Sequence, residues 1–391
     1  MIFTVRQVVE KSWEHKAKAF LVFIDLRKAC DSVPREALWV ALRKLGVPDQ
    51  LIDIIRSFHQ DMKAQIRLDD TLLEEIEVDN GLRQGCCMAP ALFNLYSCAV
   101  VERWTARLED TDGVGVYLRH KDDGKLFRRY TRNASQTTAT ECQFADDAAL
   151  LATTRAGAER SLLEYVQVAS DFGLTVSIPK TKVMVTGSDV TDADRAPLYI
   201  DDSNIVESVC EFPYLGSVVE ASGRMGRDID RRIAQASKAF GTLHKPVFSD
   251  KDLLVQTKRK IYQACVLSIL LYGSECWTLL CNQRRKLESF HHRCLKAILG
   301  ISNSQQWEQR ITSLEIRQRW GDTASVTQKV TARRLEWLGH LARMQEHRLP
   351  KKCLFGWLPE PRPRGGPRKR WRDVIKADLQ EISVPEAKWY T

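Results

Sequence analysis

Residues 142–152, Cys-Gln-Phe-Ala-Asp-Asp-Ala-Ala-Leu-Leu-Ala, set two adjacent carboxylates, Asp146 and Asp147, between two apolar stretches. The pattern reads as strand, tight acidic turn, strand, and commits this part of the chain to a hairpin. Adjacent acids repel each other, so the fold alone gains nothing from the pair. A solvated Asp-Asp turn is one account of it. A divalent cation is another, because Mg²⁺ is commonly held by one or two carboxylates together with substrate phosphates.

A third acid bears on the choice. Phe20-Leu21-Val22-Phe23-Ile24 is a continuous apolar run of strand length that stops at Asp25. A charge at the end of a core strand is costly unless it is solvated, paired or metal-bound. Lys28 is the nearby partner that the sequence offers, and Asp31, just before a helix, reads equally as a cap. A strand-end Asp followed by a strand–Asp-Asp–strand hairpin can hold two Mg²⁺ ions for in-line nucleotidyl transfer. Between the two lies Asn80-Gly81-Leu82-Arg83-Gln84-Gly85. Its glycines let backbone approach a ligand, and Arg83 and Gln84 offer donors; it also reads as an ordinary turn before a helix.

The surrounding pattern mixes strands and helices in the first half and is mostly helical in the second, which predicts an α+β core with a helical appendage. Residues 2–19 read as an amphipathic helix and Ser32-Val33-Pro34 as the capped start of a second, with Pro in its first turn. A third helix covers Asp49 to about Asp61, and Ile66 to Val78 form a hairpin around Asp69-Asp70. Ala89 to Leu108 read as a long helix, 109–140 as a polar surface hairpin, and Ala156 to Phe172 as another helix. A strand pair follows at Leu174–Val176 and Val183–Val185. Short strands fill Leu198 to Val219, with helices at Asp228–Leu243 and Asp250–Leu271. Lys351 to about Lys369, rich in Pro, Gly and Arg, reads as a loop or arm.

Five segments in order, FIDLRKACD, GLRQGCCMAPALFN, FADD, FGLTVSIPKTK and FPYLGS, resemble motifs A to E of a reverse transcriptase palm. The resemblance is to LINE-type (non-LTR) retrotransposons and covers roughly residues 1–220. LLYGSECWTLL, RRLEWLGHLARM and PRGGPRKRWRDV resemble those elements' thumb and tail. The resemblance implies a right-hand palm with truncated fingers over 1–220, a helical thumb over 221–300, and a helical C-terminal region with a basic arm over 301–391. It implies an RNA-directed DNA polymerase taking an RNA template, a DNA primer and dNTPs. Two Mg²⁺ ions, with Mn²⁺ as the substitute, would sit on Asp25, Asp146 and Asp147. Gln84 and Gly85, with Arg83, Cys30 and Phe144, would line the nucleotide and template, and Lys180, in preference to Lys182, would be the proton donor. The alternative implied is an inactive fragment of such an element that retains nucleic-acid binding.

Two departures stand out. Cys30 occupies the place where the family has an aromatic that excludes the ribonucleotide 2′-hydroxyl, which puts sugar discrimination in question. Met1-Ile2-Phe3 falls where the family's fingers normally end, so the expectation is a chain lacking the finger residues that grip the triphosphate, and lacking an endonuclease. A control sits at Tyr199-Ile200-Asp201-Asp202, whose acids come after the KTK segment and so out of order; they read as a plain hairpin turn.

The net charge of +9 is concentrated in one place: nine Arg or Lys against one acid between Arg348 and Arg372. That points to a polyanionic partner. Arg364, Arg368, Lys369 and Arg370 would meet phosphates, with Trp371 free to stack on a base; the same tract also reads as solvated or nuclear-targeting. A nuclear, intracellular place is the resulting expectation. No run reaches transmembrane length, so no membrane is implied, and nothing points to a protein partner. Eleven cysteines without an export pattern favour a reducing compartment. Cys276, Cys281, His291, His292 and Cys294 do not have compact zinc spacing and read as structural. Trp337 and His340, at helical spacing, read as core.

Overall fold

The computed structural model describes residues 1–109, 111–121, 134–201, 203–362 and 369–383. The chain opens with α1 (Ile2–His15), whose Val5, Val8 and Val9 are buried, and turns into β1 (Ala19–Ile24). All six residues of β1 are buried, as a continuous apolar run requires. A single turn, α2 (Ala29–Ser32), leads to α3 (Arg35–Lys44) and α4 (Asp49–Ser57). Pro34 stands at the N-cap of α3, outside the helix, and Ser32 Oγ donates to Arg27 O, so the hydroxyl cap expected there does not form. The hairpin β2 (Lys63–Leu68) and β3 (Thr71–Glu77) is exposed throughout, including Ile66, Leu68, Leu72 and Ile76.

Helix α5 (Ala89–Arg107) is followed by β4 (Val116–His120), β5 (Ser135–Ala139), β6 (Glu141–Phe144), β7 (Asp147–Ala152) and α6 (Arg155–Asp171). Next come β8 (Lys182–Thr186), α7 (Asp192–Arg195), β9 (Leu198–Tyr199), β10 (Ile205–Ser208), β11 (Glu211–Tyr214) and β12 (Ser217–Glu220). Leu174–Val176 does not pair with β8; Val176 instead makes a lone bridge to Leu26, because β8 is already taken by β1.

Six strands form one sheet in the order β6-β7-β1-β8-β10-β9, antiparallel except for the β8–β10 pair. Side chains alternate across a strand, and the two faces find different partners. Phe20, Val22, Ile24, Ala148 and Leu150 pack on one side with Trp39, Tyr96, Trp104 and Tyr165 of α3, α5 and α6. Leu21, Phe23, Ala149 and Leu151 pack on the other with α1, β4 and Tyr214 and Val219 of the β11–β12 hairpin.

The remainder is helical: α8 (Gly226–Leu243), α9 (Val255–Tyr262), α10 (Ser268–Leu270), α11 (Cys281–Leu299), α12 (Asn303–Glu308), α13 (Ser313–Trp320), α14 (Val326–Arg343), α15 (Leu349–Phe355) and α16 (Trp371–Glu381). The single helix expected over Asp250–Leu271 starts at Val255 and runs on to Leu270 through α9, a π turn over Gln263–Leu267, and α10. Residues from α8 to α14 build a separate apolar core around Tyr262, Trp277, Leu287 and Trp320.

The start of the expected arm is not an arm. Residues 351–355 are helical, Cys353, Leu354 and Phe355 are buried, and Trp357 bridges to Arg119 of β4. Trp371 is 1% exposed, packs edge-on against Phe3 at 4.9 Å and donates Nε1 to Glu275 O, so it cannot stack on a base. Arg370 is bound to Glu14 and Asp373. Apolar residues interspersed among the Pro and Arg draw this segment onto α1, where Lys11 donates to Gly356 O. Arg364 and Arg368 lie outside the described residues. Lys369 remains exposed. Trp337 is half-buried against Phe3, and His340, read as core, is exposed beside it.

Candidate active site

Asp25 is the residue after β1, and Asp147 opens β7 on the neighbouring strand. The register Ile24↔Ala148, continued one step, sets them side by side on the sheet face shared with Phe23 and Ala149. Asp146 lies in the two-residue turn closed by Phe144↔Asp147. Ala145, the other turn residue, has φ 53, a left-handed conformation that a non-glycine residue adopts only under local constraint. Phe144 is 64% exposed at the rim.

The surroundings of Asp25 are built by the segment following α6. Ser177 N donates to Asp25 O, Arg27 N donates to Thr175 O, and Asp25 N donates to the Thr181 hydroxyl. That turn carries Lys180, whose Nζ lies 3.4 Å from Asp25 Oδ2. Lys180, not Lys28, is therefore the ion-pair partner of Asp25. Lys182 instead pairs with Glu207 at 2.6 Å.

Asp25 Oδ2 is buried and has no hydrogen-bond partner, the Lys180 contact being poorly aligned. The Asp147 carboxyl is held above the usual carboxylate range, first by desolvation and then by the charges of Asp146 and Asp25. An orphaned carboxylate oxygen beside a repelled carboxyl is a donor set that suits a hard divalent cation. Among the described residues, no three His, Cys, Asp or Glu side chains close into a cage for an ion. Mg²⁺ is usually held by one or two carboxylates with substrate phosphates completing its shell, so an open set fits it.

The glycine-glutamine turn is sewn onto the loop that follows Asp25. Gly81 N donates to Val33 O, and Leu82 N to Cys30 O. A Cβ on Gly81 would stand 2.7 Å from Asp31 Cα, so only glycine permits this approach. Gln84 Nε2 donates to Asp31 Oδ1 at 2.7 Å. Asp31 thus orients Gln84, where the sequence suggested a helix cap. Arg83, Gln84 and Gly85 are all exposed, and Gly85 has open space where a side chain would be. The Cys30 thiol is pushed up by burial and then by the charges of Asp146 and Asp31, which places it between the acidic turn and the glutamine turn.

Two cavities meet at Asp147. One, of about 560 Å³, is lined by Asp25, Asp147, Lys180, Lys182 and Phe212. The other, of about 450 Å³, is lined by Phe144, Asp147, Tyr272 and Trp337. Phe212 stacks on Phe23 at 4.3 Å, and the Tyr214 hydroxyl donates to Cys142 O, so the β11–β12 hairpin holds β1, which leads to Asp25, and β6, which leads into the acidic turn. Sequence reading missed Gln143, whose side-chain amide donates to Ala145 O at 3.1 Å and to Ser97 of α5. Gln143 fits the polar–apolar alternation of β6, Glu-Cys-Gln-Phe, so the sequence carried no signal for it. Asp201 behaves as the control predicts: its carboxylate accepts from Ser203 N, Asn204 N and Asn204 Nδ2 and holds a plain turn.

An antiparallel sheet backed by helices, with acids at the tips of its adjacent central strands, defines a polymerase palm. Residues 2–219 match the family described as reverse transcriptase (RNA-dependent DNA polymerase), and the chain belongs to that family. It is similar to a putative transposon-derived protein of Caenorhabditis elegans, at 28% identity over 61% of this chain and 85% of that protein. It is also similar to the Pol polyprotein of the type-2 retrotransposable element R2DM of Drosophila melanogaster, at 26% identity over 68% of this chain. The probable RNA-directed DNA polymerase from transposon BS of the same fly matches at 23% identity over 75% of this chain. The matched regions make up 24% and 31% of those two fly proteins. The relatives place the chain among the reverse transcriptases of non-LTR retrotransposons. Among solved structures, apo telomerase from Candida tropicalis has a TM-score of 0.39 at 11% identity, over 91% of this chain and 56% of that one.

Proposed function

We propose that the chain is an RNA-directed DNA polymerase that adds dNTPs to a DNA primer 3′-hydroxyl on an RNA template, using Mg²⁺ or Mn²⁺. The observation that supports this best is Asp25 Oδ2, buried without a hydrogen bond and met by Lys180 at 3.4 Å, beside the raised carboxyl of Asp147. Bound divalent ions would supply Lewis-acid activation of the hydroxyl and neutralise charge on the triphosphate. Asp25, Asp146 and Asp147 are the residues that would hold them. Lys180, beside Asp25, is placed to give its proton to the departing pyrophosphate. An ionised carboxylate only accepts hydrogen bonds, so Asp31 draws in the Gln84 NH₂ and leaves the amide oxygen to meet the nucleotide or template. Arg83 would contact phosphate, the open backbone at Gly85 would let the template lie close, and Cys30 would face the sugar. Phe144 offers an exposed ring beside the acids. Lys369, with Arg364 and Arg368, is proposed to meet nucleic-acid phosphates; Arg370 and Trp371 are occupied within the fold.

A second reading, an inactive fragment that still binds nucleic acid, draws on the open geometry of the three acids. Primer extension on an RNA template separates the two. The polymerase reading expects Mg²⁺-dependent extension that falls about 10³-fold in Asp146→Ala. Salt-sensitive RNA binding without extension by the unaltered chain would establish the second reading instead.

A further inference from the structure

We propose that Gln143 is a positioning residue for the acidic turn, acting with Ser97 of α5 to hold Ala145 in its left-handed conformation; this rests on the polymerase reading above. Four observations carry it. Gln143 pairs with Ala148 across β6 and β7, so its side chain leaves the sheet on the helix-packed face. There it is a half-buried polar group on the face that also carries Ala148, Leu150 and Ile24. Its amide donates forward to Ala145 O, the carbonyl of the turn, and across to the buried Ser97 hydroxyl. Finally, Ala145 has φ 53, a conformation in which alanine, unlike glycine, needs external support.

The consequence is a division of labour between the two sides of the sheet. The ligands face the cleft, whereas the device that fixes their direction is anchored behind them on α5. Released from Gln143, the turn would relax toward ordinary backbone angles and rotate Asp146 and the start of β7. Displacements of about 1 Å in a positioned group can lower a rate by up to about 10²-fold.

Gln143→Ala therefore lowers kcat for primer extension about 10-fold, while KM for dNTP and Kd for the template–primer stay within about twofold. Hydrogen exchange at the amides of 145–148 accelerates, and more Mn²⁺ is needed for half-maximal thermal stabilisation. Ala145→Gly, added to Gln143→Ala, recovers kcat to within about threefold of wild type, since glycine needs no support at positive φ. A merely structural role would not show that rescue. The proposal is overturned if exchange at the turn is unchanged in Gln143→Ala, or if the double variant is as slow as the single. Should the unaltered chain extend no primer, the polymerase reading falls alone. The exchange and Mn²⁺ measurements then decide the role of Gln143 by themselves.

Discussion

Asp228 and Asp25 are both acids at the ends of elements packed into the interior, and the protein treats them in opposite ways. Asp228, at the start of α8, is 0% exposed. Arg6, Ser217, Val218 N and Trp277 Nε1 all donate to it, at 2.8 to 3.0 Å. The acid joins α1, β12, α8 and the helical core, and its hydrogen-bonding capacity is used up. Asp25 receives one long contact from Lys180, on Oδ2, and that oxygen accepts no hydrogen bond. Saturation marks an acid that holds a fold together. Deficiency, kept in place by rigid neighbours, is what the proposed metal site would require of its acid.

The largest expected effect that could break this comparison lies on the saturated side. Asp228→Ala should cost about 3–5 kcal/mol in urea denaturation, because it strands the buried guanidinium of Arg6. Adding Arg6→Met should recover part of that loss. A cost below about 1 kcal/mol would mean that the network is ornamental.

Glu10 of α1 tests an intermediate case. It is half-buried, accepts from Trp371 N, and its carboxyl is raised to about 7, chiefly by desolvation. A raised carboxyl contributes stability that is fully present below its unfolded value and is lost as pH rises through about 7. Glu10→Gln should therefore match wild type at pH 4.5 and exceed it by about 2–3 kcal/mol at pH 8, read from urea midpoints. Coincident curves across that range would show that its neighbours compensate the charge.

The smallest effect belongs to the candidate site. Asp147 is also raised, so the sign is the same: Asp147→Asn should be slightly more stable at neutral pH, within about 1 kcal/mol, and converge with wild type in acid. Mn²⁺ should raise the melting temperature of wild type and do so less in this variant. Destabilisation by Asp147→Asn would place this acid with Asp228.

What could be read beforehand follows a physical line. The apolar run ending at Asp25 and the hairpin around Asp146-Asp147 are local patterns, and local patterns survive into the fold. The Asp31–Gln84 contact joins residues 53 apart, and nothing in either segment names the other. Lys28 looked like the partner of Asp25 because it is near in sequence, yet Lys180 reaches it from a distant turn. Residues 351–362 and 370–372 depart from what their average composition suggests, because position decides what they do. Leu354, Phe355 and Trp371, spread among prolines and arginines, were enough to seat the segment against α1. Arg370 and Trp371 accordingly left the set of nucleic-acid contacts, and Gln143 joined the site from an unremarked strand position.

The embrace of α1 by residues 356–362 and 370–372 also bears on how the protein is made. A ribosome releases Phe3, Lys11 and Glu14 hundreds of residues before their mates Trp371, Gly356 and Arg370. Until then the first helix has an apolar flank and a buried-charge cluster with nothing to cover them. Contacts so far apart in sequence close slowly, and exposed apolar surface in the interval invites association between nascent chains. The palm can begin to assemble during synthesis, but α1 is completed only once residue 371 has left the ribosome.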